Sequence, residues 1–338
     1  MSNYKYQKLL IIDGAFLMHR TLSIDRLYEM KNTKGVSTGG IDGCLKSIES
    51  FLKLPELKGY YPVCTWDRGI NERRKNLYPE YKNKKAVMKT PEDERARDEY
   101  IAMYREQRNR LIEILDTLGI PNFLIDNQEG DDTGKILIDM TENCICITSD
   151  KDWLQNLKTD HVRVYNPIKK IMYTEENLKT HFGVESVSQF LTEKILLGDP
   201  SDNIPSCIKG VGEKGVHEYY KYFMSYNNNF DNYIRDEKEC KKYCEERNIK
   251  YKKAYINLDI ERYKINEQLI NLKYVNEEKN IKEIINSINS SITLSQQKRS
   301  FMQTIKALNK YNITNIDTDT ITRELNMRRN FLYSNLPW

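Results

Sequence analysis

Short apolar runs alternate with helix-patterned segments through the first half of the chain. The runs are rich in β-forming side chains and are short enough for buried strands. They occupy residues 9–12, 61–66, 123–125, 144–148 and 162–165. Residues 40–53 and 100–118 instead carry apolar side chains at helical spacing. This alternation predicts an α/β fold with a mostly parallel sheet.

Acidic residues follow three of the predicted strands directly. Asp13, Asp67 and Asp150 stand at these strand ends, and a Glu-Gly-Asp-Asp cluster at residues 129–132 opens the helix before the strand at 144–148. Ligands of open parallel sheets bind beyond the carboxyl ends of the strands. Like charges this close together are unfavourable unless a cation neutralises them. The pattern therefore predicts a site for a hard metal ion.

Residues 68–110 are densely charged and differ in their two halves. In the first half, basic residues interleave with Tyr78 and Tyr81, and Pro79 interrupts any continuous helix. Basic side chains beside aromatic rings suit phosphates and unstacked bases, so this half favours a nucleic-acid contact. The second half mixes acidic and basic residues and is interpreted as a solvated helix face.

A second group of motifs follows a helix-patterned segment at residues 175–197. It reads Gly198-Asp199-Pro200-Ser201-Asp202-Asn203-Ile204-Pro205, and Gly210-Val211-Gly212-Glu213-Lys214 comes soon after. Two glycines let backbone amides approach a phosphate, although flexible loops often contain the same pattern. The segment is too short for a P-loop, and no strand precedes it as a dinucleotide fingerprint requires.

From about residue 217 onwards the chain has helix-forming character without strand alternation. We therefore predict two domains, an α/β domain over residues 1–190 and a helical domain over residues 191–338. The densely charged segment at about 68–110 would lie in the first domain, and the glycine-containing motifs at about 198–220 in the second.

Composition narrows the class of protein only slightly. The 338 residues carry 53 Lys and Arg against 49 Asp and Glu, a net charge of +4, so any nucleic-acid preference must come from local basic patches. Seven cysteines without a zinc-ligand spacing predict reduced thiols. No apolar run approaches 18 residues and no signal-peptide pattern is present, so we expect an intracellular, cytoplasmic protein without a membrane partner.

Taken together, these motifs resemble the flap endonuclease and 5′–3′ exonuclease family, especially its stand-alone bacteriophage members, including the phage RNase H type. The resemblance covers residues 8–220 and depends on five motifs in a fixed order. They are the strand ending in Asp13, the Trp66-Asp67-Arg68 sequence with the following Tyr-Pro-Glu-Tyr-Lys at 78–82, the acidic cluster at 129–132, the Ser-Asp-Lys-Asp sequence at 149–152, and the glycine-containing motifs at 198–214.

The resemblance implies a PIN-like (resolvase-like) fold with helices on both sheet faces, and two Mg²⁺ or Mn²⁺ ions. The implied metal ligands are Asp13, Asp67, Glu129, Asp131, Asp132, Asp150, Asp152, Asp199 and Asp202. Asp13, Asp67 and Asp131 would mainly hold the first ion, and Asp150, Asp152, Asp199 and Asp202 the second. The implied catalytic residues are Lys82, Asp67, Asp131 and Asp150, where Lys82 contacts the scissile phosphate.

The resemblance also implies a set of DNA contacts. Arg73, Arg74, Tyr81, Lys82 and Lys85 would belong to a basic arch at about 68–110, and Gly210, Gly212 and Lys214 to a helix–hairpin motif at about 198–220. We call residues 210–214 the glycine hairpin, and a K⁺ ion would bind there. The chain departs from the family at two places. Lys85 stands where an arginine is usual, which keeps the charge without the bidentate fork. Residues 206–209 form a loop one residue longer than usual.

The implied function is a structure-specific 5′-nuclease that acts where single strand meets duplex. DNA with a 5′ flap, a nick or an RNA primer would be its substrate, replication proteins such as a single-strand-binding protein or a sliding clamp would be its partners, and a monomer is expected. The preference between exonuclease and flap endonuclease activity stays open, as does the preference between DNA and RNA–DNA hybrid, including any RNase H activity. A phage-encoded protein would lie in the host-cell cytoplasm. A DNA clamp with an inactive site and a PIN-like ribonuclease toxin are the alternatives; the full carboxylate set opposes the first, and the chain length opposes the second.

Overall fold

The computed structural model describes residues 5–83, 90–225, 233–277, 281–314 and 316–332. Its helices, in chain order, are α1 (Gly14–Leu22), α2 (Asp25–Tyr28), α3 (Gly39–Lys53), α4 (Glu72–Leu77), α5 (Pro91–Leu118), α6 (Gly130–Asp139), α7 (Leu178–Phe182), α8 (Val187–Leu197), α9 (Glu213–Met224), α10 (Glu237–Glu246), α11 (Ile260–Ile270), α12 (Ile281–Lys298), α13 (Phe301–Tyr311) and α14 (Thr318–Arg328).

Six strands form one sheet in the order β3-β2-β1-β4-β5-β6. They are β1 (Tyr6–Asp13), β2 (Tyr61–Trp66), β3 (Asn122–Leu124), β4 (Thr141–Ile147), β5 (Val162–Asn166) and β6 (Ile171–Tyr173). The first five are parallel to their neighbours, and β6 is antiparallel to β5. The predicted α/β fold and its five strands are therefore confirmed, whereas the edge strand β6 was not predicted.

Two compact units, each discontinuous in sequence, make up the chain. Unit 1 comprises residues 1–70, 87–174 and 275–338, and unit 2 comprises residues 71–86 and 175–274. The predicted domains, 1–190 and 191–338, are a linear division and stay a prediction. The units differ from it because the C-terminal helices pack in unit 1: α12 contacts α5 and β3, and α14 contacts α3.

The core of unit 1 explains why its central strands are continuously apolar. Leu10 and Ile12 of β1 are fully buried in one cluster with side chains of α3 and α5. Helix α6 contacts β1, β2 and β4. A parallel strand covered by helices needs apolar residues at consecutive positions, and the sequence supplies them.

Two predicted helices differ from the structure in their bounds. The predicted helix at 100–118 begins earlier, at Pro91, because the Thr90 hydroxyl and the Asp93 carboxylate form a capping box there. The mixed-charge second half of the arch segment thus forms the exposed first turns of α5, as interpreted. The predicted helix at 175–197 is two helices, α7 and α8, with Gly183 between them.

Unit 2 is a helical cluster that includes residues 71–83 of the arch segment, which we call the base of the arch. Its buried core combines residues of α8, α9, α10 and α11 with Tyr81. Helix α4 contacts α11 in the same unit. Lys85 lies outside the described residues.

Candidate metal centre

The parallel register of unit 1 brings three acidic strand ends to one edge of the sheet. Asp13 is the last residue of β1 and pairs with Thr65 of β2, two positions before Asp67. Ile12 pairs with Ile147, the last residue of β4, three positions before Asp150. The edge predicted from the sequence is therefore present.

Asp13 is a buried carboxylate whose hydrogen-bond donors among the described residues are neutral. It is 8% exposed, and it accepts from the Phe16 amide at 2.9 Å and from the Thr148 hydroxyl at 2.8 Å. Burial, with a further contribution from the nearby charges of Asp67 and Asp150, raises the pKa of Asp13 to about 7, although these two hydrogen bonds act to lower it. Added positive charge would relieve this cost.

A second acidic group stands at the N-terminus of α6. Ligand oxygens of Glu129, Asp131 and Asp132 lie within 4.8 Å of one another, and Glu129 and Asp132 are buried. The Glu129 amide donates to Asp132 at 3.3 Å, and the Asp132 amide donates to Asp131 at 2.9 Å. The helix N-terminus favours these negative charges.

Asp67 and Thr148 link these groups to each other. The Gly130 amide donates to the Asp67 carboxylate at 2.6 Å, which ties the end of β2 to α6. The Thr148 hydroxyl donates to Asp13 and accepts from the Asp150 amide at 3.0 Å. Asp150 in turn accepts from the Asp152 amide at 2.9 Å. Thr148 is thus a positioning residue, although it was not among the predicted site residues.

The side chains of unit 1 fit divalent metal ions that prefer oxygen ligands. All seven predicted ligands of this unit are carboxylates, the donor type of Mg²⁺ and Mn²⁺ sites. Acidic neighbours raise the pKa of the buried Asp13 carboxyl, and a bound cation would relieve this cost. We therefore assign this edge of unit 1 as a candidate divalent-metal centre.

In unit 2, Asp199 and Asp202 stand on one closed loop. The backbones of Asp199 and Ile204 exchange hydrogen bonds at 2.9 and 2.8 Å, and the Asp202 amide donates to the Asp199 carbonyl at 3.2 Å. Gly198 opens the loop at φ +69°, where an added Cβ would lie 2.5 Å from the Ile204 carbonyl oxygen, so only glycine fits.

Both loop carboxylates have lysine partners within unit 2. The Lys194 ammonium lies 3.2 Å from Asp199, and the Lys82 ammonium lies 3.7 Å from Asp202. Burial opposes ionisation of Asp199, but the Ser201 hydroxyl and Lys194 together hold its pKa below the usual value.

The residues predicted as DNA contacts of the arch fall into two groups. Lys82 and Arg73 are partly exposed, whereas Arg74 and Tyr81 are each only 2% exposed. The Arg74 guanidinium donates to the Leu269 carbonyl at 2.9 Å, and the Tyr81 hydroxyl donates to Asp202 at 3.3 Å. The prediction that Arg74 and Tyr81 contact DNA disagrees with this burial, because basic and aromatic character alone does not separate surface from core.

The glycine hairpin has the open backbone expected of it. Gly210 has φ +80°, and neither Gly210 nor Gly212 has an atom within 4 Å of the place where a Cβ would be. Gly212 precedes α9, and Lys214 is exposed on the first turn of that helix. Backbone amides and a lysine at a helix start suit a phosphate, but no ion tests the K⁺ prediction.

An aromatic and basic cluster beside Asp67 was missed. The exposed His19 ring stacks on Tyr104 with centroids 4.5 Å apart, and it hydrogen-bonds to the Tyr100 hydroxyl at 2.6 Å. Arg108 lies 5.9 Å from the Tyr104 ring centroid and donates to the Asp67 carbonyl at 3.1 Å. The only sequence signal was the position of His19 on the helix that starts after Asp13; its partners on α5 lie far along the chain.

A sequence model described as the 5′-3′ exonuclease, N-terminal resolvase-like domain matches residues 8–183. The chain therefore belongs to the 5′–3′ exonuclease family. This membership confirms the resemblance, the resolvase-like fold and the nuclease class predicted from the sequence.

Two curated relatives show how far the similarity extends. A 5′-3′ exonuclease of Aquifex aeolicus (strain VF5) is 29% identical over 262 residues, which cover 75% of this chain and 83% of that protein. DNA polymerase I of Streptococcus pneumoniae (strain R6) is 30% identical over 218 residues, 62% of this chain and 23% of that protein. The chain thus spans most of the first relative and less than a quarter of the second.

Solved structures share the fold at lower identity. The T5 D15 protein co-crystallised with metal ions has a TM-score of 0.60 and 19% identity, covering 87% of this chain and 100% of that one. A pseudo-enzyme–product complex of the bacteriophage T5 D15 flap endonuclease with DNA and metal ions has a TM-score of 0.61 and 22% identity, covering 86% of this chain and 100% of that one.

Within the described parts of the chain, no helix is both long and apolar enough to span a membrane.

Proposed function

We propose that this protein is a divalent-metal-dependent, structure-specific 5′-nuclease that cleaves near 5′ ends where single-stranded DNA meets duplex. The observation that carries the proposal is the acidic edge of unit 1. There the pKa of Asp13 is raised to about 7, Glu129, Asp131 and Asp132 lie close together, and the Gly130 amide beside them donates to Asp67. Family membership supports the reaction class. The DNA and metal ions of the T5 D15 complex support the substrate and cofactor classes.

The metal ions we propose are two Mg²⁺ or Mn²⁺. Asp13, Asp67, Glu129, Asp131, Asp132, Asp150 and Asp152 would supply ligands in unit 1, and Asp199 and Asp202 are proposed as further ligands. A pair of hard cations can activate water and stabilise charge on the leaving oxygen of a phosphodiester. Many of the carboxylates would bind through water, because Mg²⁺ keeps part of its hydration shell.

The chain's own side chains would do the remaining work. Asp67, Asp131 and Asp150 would hold the ions where these can act on water and the phosphate, and the Lys82 ammonium would stabilise negative charge that develops on the phosphate. Thr148 holds Asp13 and the Asp150 backbone by hydrogen bonds. The exposed His19 ring offers a stacking surface for an unpaired base.

Contacts to duplex are proposed for the glycine hairpin and for basic side chains of the arch segment. Gly210, Gly212 and Lys214 would hold backbone phosphates, with K⁺ as a further ligand of the hairpin, and Arg73, Lys82 and Lys85 would add charge. A 5′ flap, a nick or an RNA primer would provide the substrate in phage DNA replication and repair. Replication-protein partners, monomeric state and intracellular location stay predictions.

Purified protein with a 5′-labelled flap substrate tests the proposal. We expect cleavage near the junction with Mg²⁺ or Mn²⁺ and none with EDTA, and we expect Asp150→Asn to lose most of the activity. Nicked and RNA-primed substrates in the same assay define the preference. Cleavage without divalent metal, or full activity in Asp150→Asn, would contradict the proposal.

A further inference from the structure

Helix α11 carries a buried amide that no part of the proposed chemistry uses. Asn266 is completely buried. Its side-chain amide donates to the Pro205 carbonyl at 2.8 Å and to the Ile195 carbonyl at 3.2 Å, and it lies 3.2 Å from the Cys207 sulfur. The N–H groups of this buried amide have acceptors, and losing these bonds would cost stability. The Asn266 Oδ1 has no hydrogen-bond partner among the described residues.

The two carbonyls bracket the acidic loop. Ile195 lies in the last turn of α8, shortly before Gly198, and Pro205 closes the loop after Ile204. Two further hydrogen bonds join the residues before and after the loop. The Leu196 carbonyl accepts from the Cys207 amide at 2.9 Å and from the Ser206 hydroxyl at 3.1 Å. One side chain of α11 thus holds both ends of the loop that presents Asp199 and Asp202.

The end of the same helix anchors the base of the arch. The Gln268 and Leu269 carbonyls accept from Arg73 at 2.7 Å and from Arg74 at 2.9 Å. These arginines belong to α4, shortly before the Tyr78 turn that leads to Lys82. Helix α11 therefore holds the acidic loop at its middle and the arch base at its C-terminus.

The two held segments meet at Asp202. The Lys82 amide donates to the Asp202 carbonyl at 2.9 Å, and the Asn203 side chain donates to the Glu80 carbonyl at 2.9 Å. Lys82 has φ +51°, a left-handed conformation that costs energy in a residue with a side chain and persists where its surroundings fix it. The spacing between the Lys82 ammonium and the loop carboxylates is thus set by contacts made on α11.

We infer that Asn266 is a positioning residue that fixes the Asp199 and Asp202 carboxylates relative to Lys82. This inference rests on the proposed function, because it assigns Asn266 a part in metal use at that loop. Asn266 does not contact the reacting groups; it acts through the carbonyls at the two ends of the loop. An aspartate of the same size could not donate to these carbonyls and would repel them.

The test compares Asn266→Ala and Asn266→Asp with a matched buried amide, Gln189→Ala. Gln189 is 7% exposed in the same unit and donates to Glu193 at 2.7 Å, away from the loop. For both Asn266 variants we expect Mn²⁺ binding, followed by the EPR signal of the free ion without DNA, to weaken about tenfold or more, as losses around metal ligands do. In the Asn266 variants the Mn²⁺ concentration needed for half-maximal cleavage should rise in parallel, while duplex affinity measured in EDTA stays unchanged. Gln189→Ala should lose thermal stability but show neither of these two metal effects.

A double-mutant cycle with Asp202→Asn separates positioning from general destabilisation. If Asn266 acts through the loop carboxylates, its replacement adds little to the metal defect of Asp202→Asn. Additive defects, or equal metal binding in Asn266→Ala and Gln189→Ala, overturn the inference while a metal-dependent wild-type nuclease stands. A wild-type protein that binds Mn²⁺ through Asp202 but cleaves no flap instead contradicts the proposed function alone.

Discussion

The carboxylates of unit 1 and those of unit 2 are compensated in different ways. Asp13 in unit 1 accepts from an amide and a hydroxyl, both neutral, and burial with two acidic neighbours raises its pKa to about 7. Asp199 in unit 2 has Lys194 at 3.2 Å, and its pKa is held low. The unit 1 site therefore gains most from an added cation, whereas the loop of unit 2 carries its own.

This difference indicates that the buried carboxylates of unit 1 and the lysine-paired carboxylates of the unit 2 loop respond differently to a metal ion. Where burial and acidic neighbours raise the pKa of a carboxyl, as at Asp13, folding bears an electrostatic cost that metal binding would remove. Where a lysine already stands beside the carboxylate, a metal ion must compete with it. We therefore expect unit 1 to hold metal more tightly, and the loop of unit 2 to be the more sensitive to changes in its surroundings.

The largest expected effect follows from Asp13→Asn. We expect cleavage to fall by roughly 10³-fold, since a neutral amide cannot neutralise the metal charge that the reaction needs. The metal-free protein should keep or gain thermal stability, because the change removes a buried charge. Steady-state cleavage and thermal unfolding measure the two results, and wild-type activity in Asp13→Asn would contradict the role assigned to unit 1.

The next-largest expected effect concerns Lys82, the lysine beside Asp202 in unit 2. Lys82→Ala should lower turnover by about 10²-fold through lost stabilisation of phosphate charge, with duplex affinity retained. Single-turnover rates and an equilibrium binding titration in EDTA distinguish the two quantities. Lys82→Arg serves as the control and should recover part of the rate. Equal losses of rate and affinity would make Lys82 a binding residue only.

The sequence was sufficient for the five parallel strands and for the sheet-edge carboxylates because both follow from local pattern. Each β-strand is a short apolar run, and parallel strands bring their carboxyl ends to one edge wherever they lie in the sequence. The position of Asp13, Asp67 and Asp150 at one edge therefore follows from the amino-acid pattern alone.

Long-range packing set the limit of that reasoning. Arg74 and Tyr81 look like DNA contacts in the sequence, and only their contacts with Leu269 and Asp202, more than 120 residues away, show that they are buried. Asn266 and Thr148 were not predicted as site residues, because their role lies in the carbonyl and carboxylate groups they meet. The discontinuous units likewise depend on α12–α14, which local patterning identifies only as helices.

The electrostatic cost of unit 1 should appear in the pH dependence of stability. The folded pKa of Asp13, about 7, lies above the ordinary value of 3.8. The folded state therefore binds the proton more tightly, so stability from this group is full below pH 4 and is lost as pH rises through 7. The loss is at most about 4 kcal/mol, since one pKa unit corresponds to about 1.4 kcal/mol.

Urea unfolding of metal-free wild type and Asp13→Asn between pH 4 and 8 measures this cost. We expect the wild type to lose stability relative to the variant over that range, and saturating Mn²⁺ at pH 8 to restore it in the wild type only. Curves that stay parallel across the range would show that Asp13 bears no such cost.

The smallest expected effect tests the compensation within unit 2. Lys194→Met removes the cation beside Asp199, and both side chains of the pair are less than 20% exposed. We expect a loss of about 1 kcal/mol at pH 7, between the values of exposed and buried pairs. Because the folded pKa of Asp199 is lowered, this contribution is present above pH 3.8 and disappears as the pH falls further.

Lys179→Met is the matched control, since the side chains of Lys179 and its partner Glu185 are 69% and 66% exposed. Urea midpoints at pH 7 and pH 3 should separate the two variants at the higher pH alone; equal losses would mean that Lys194 does no more for Asp199 than a surface lysine does.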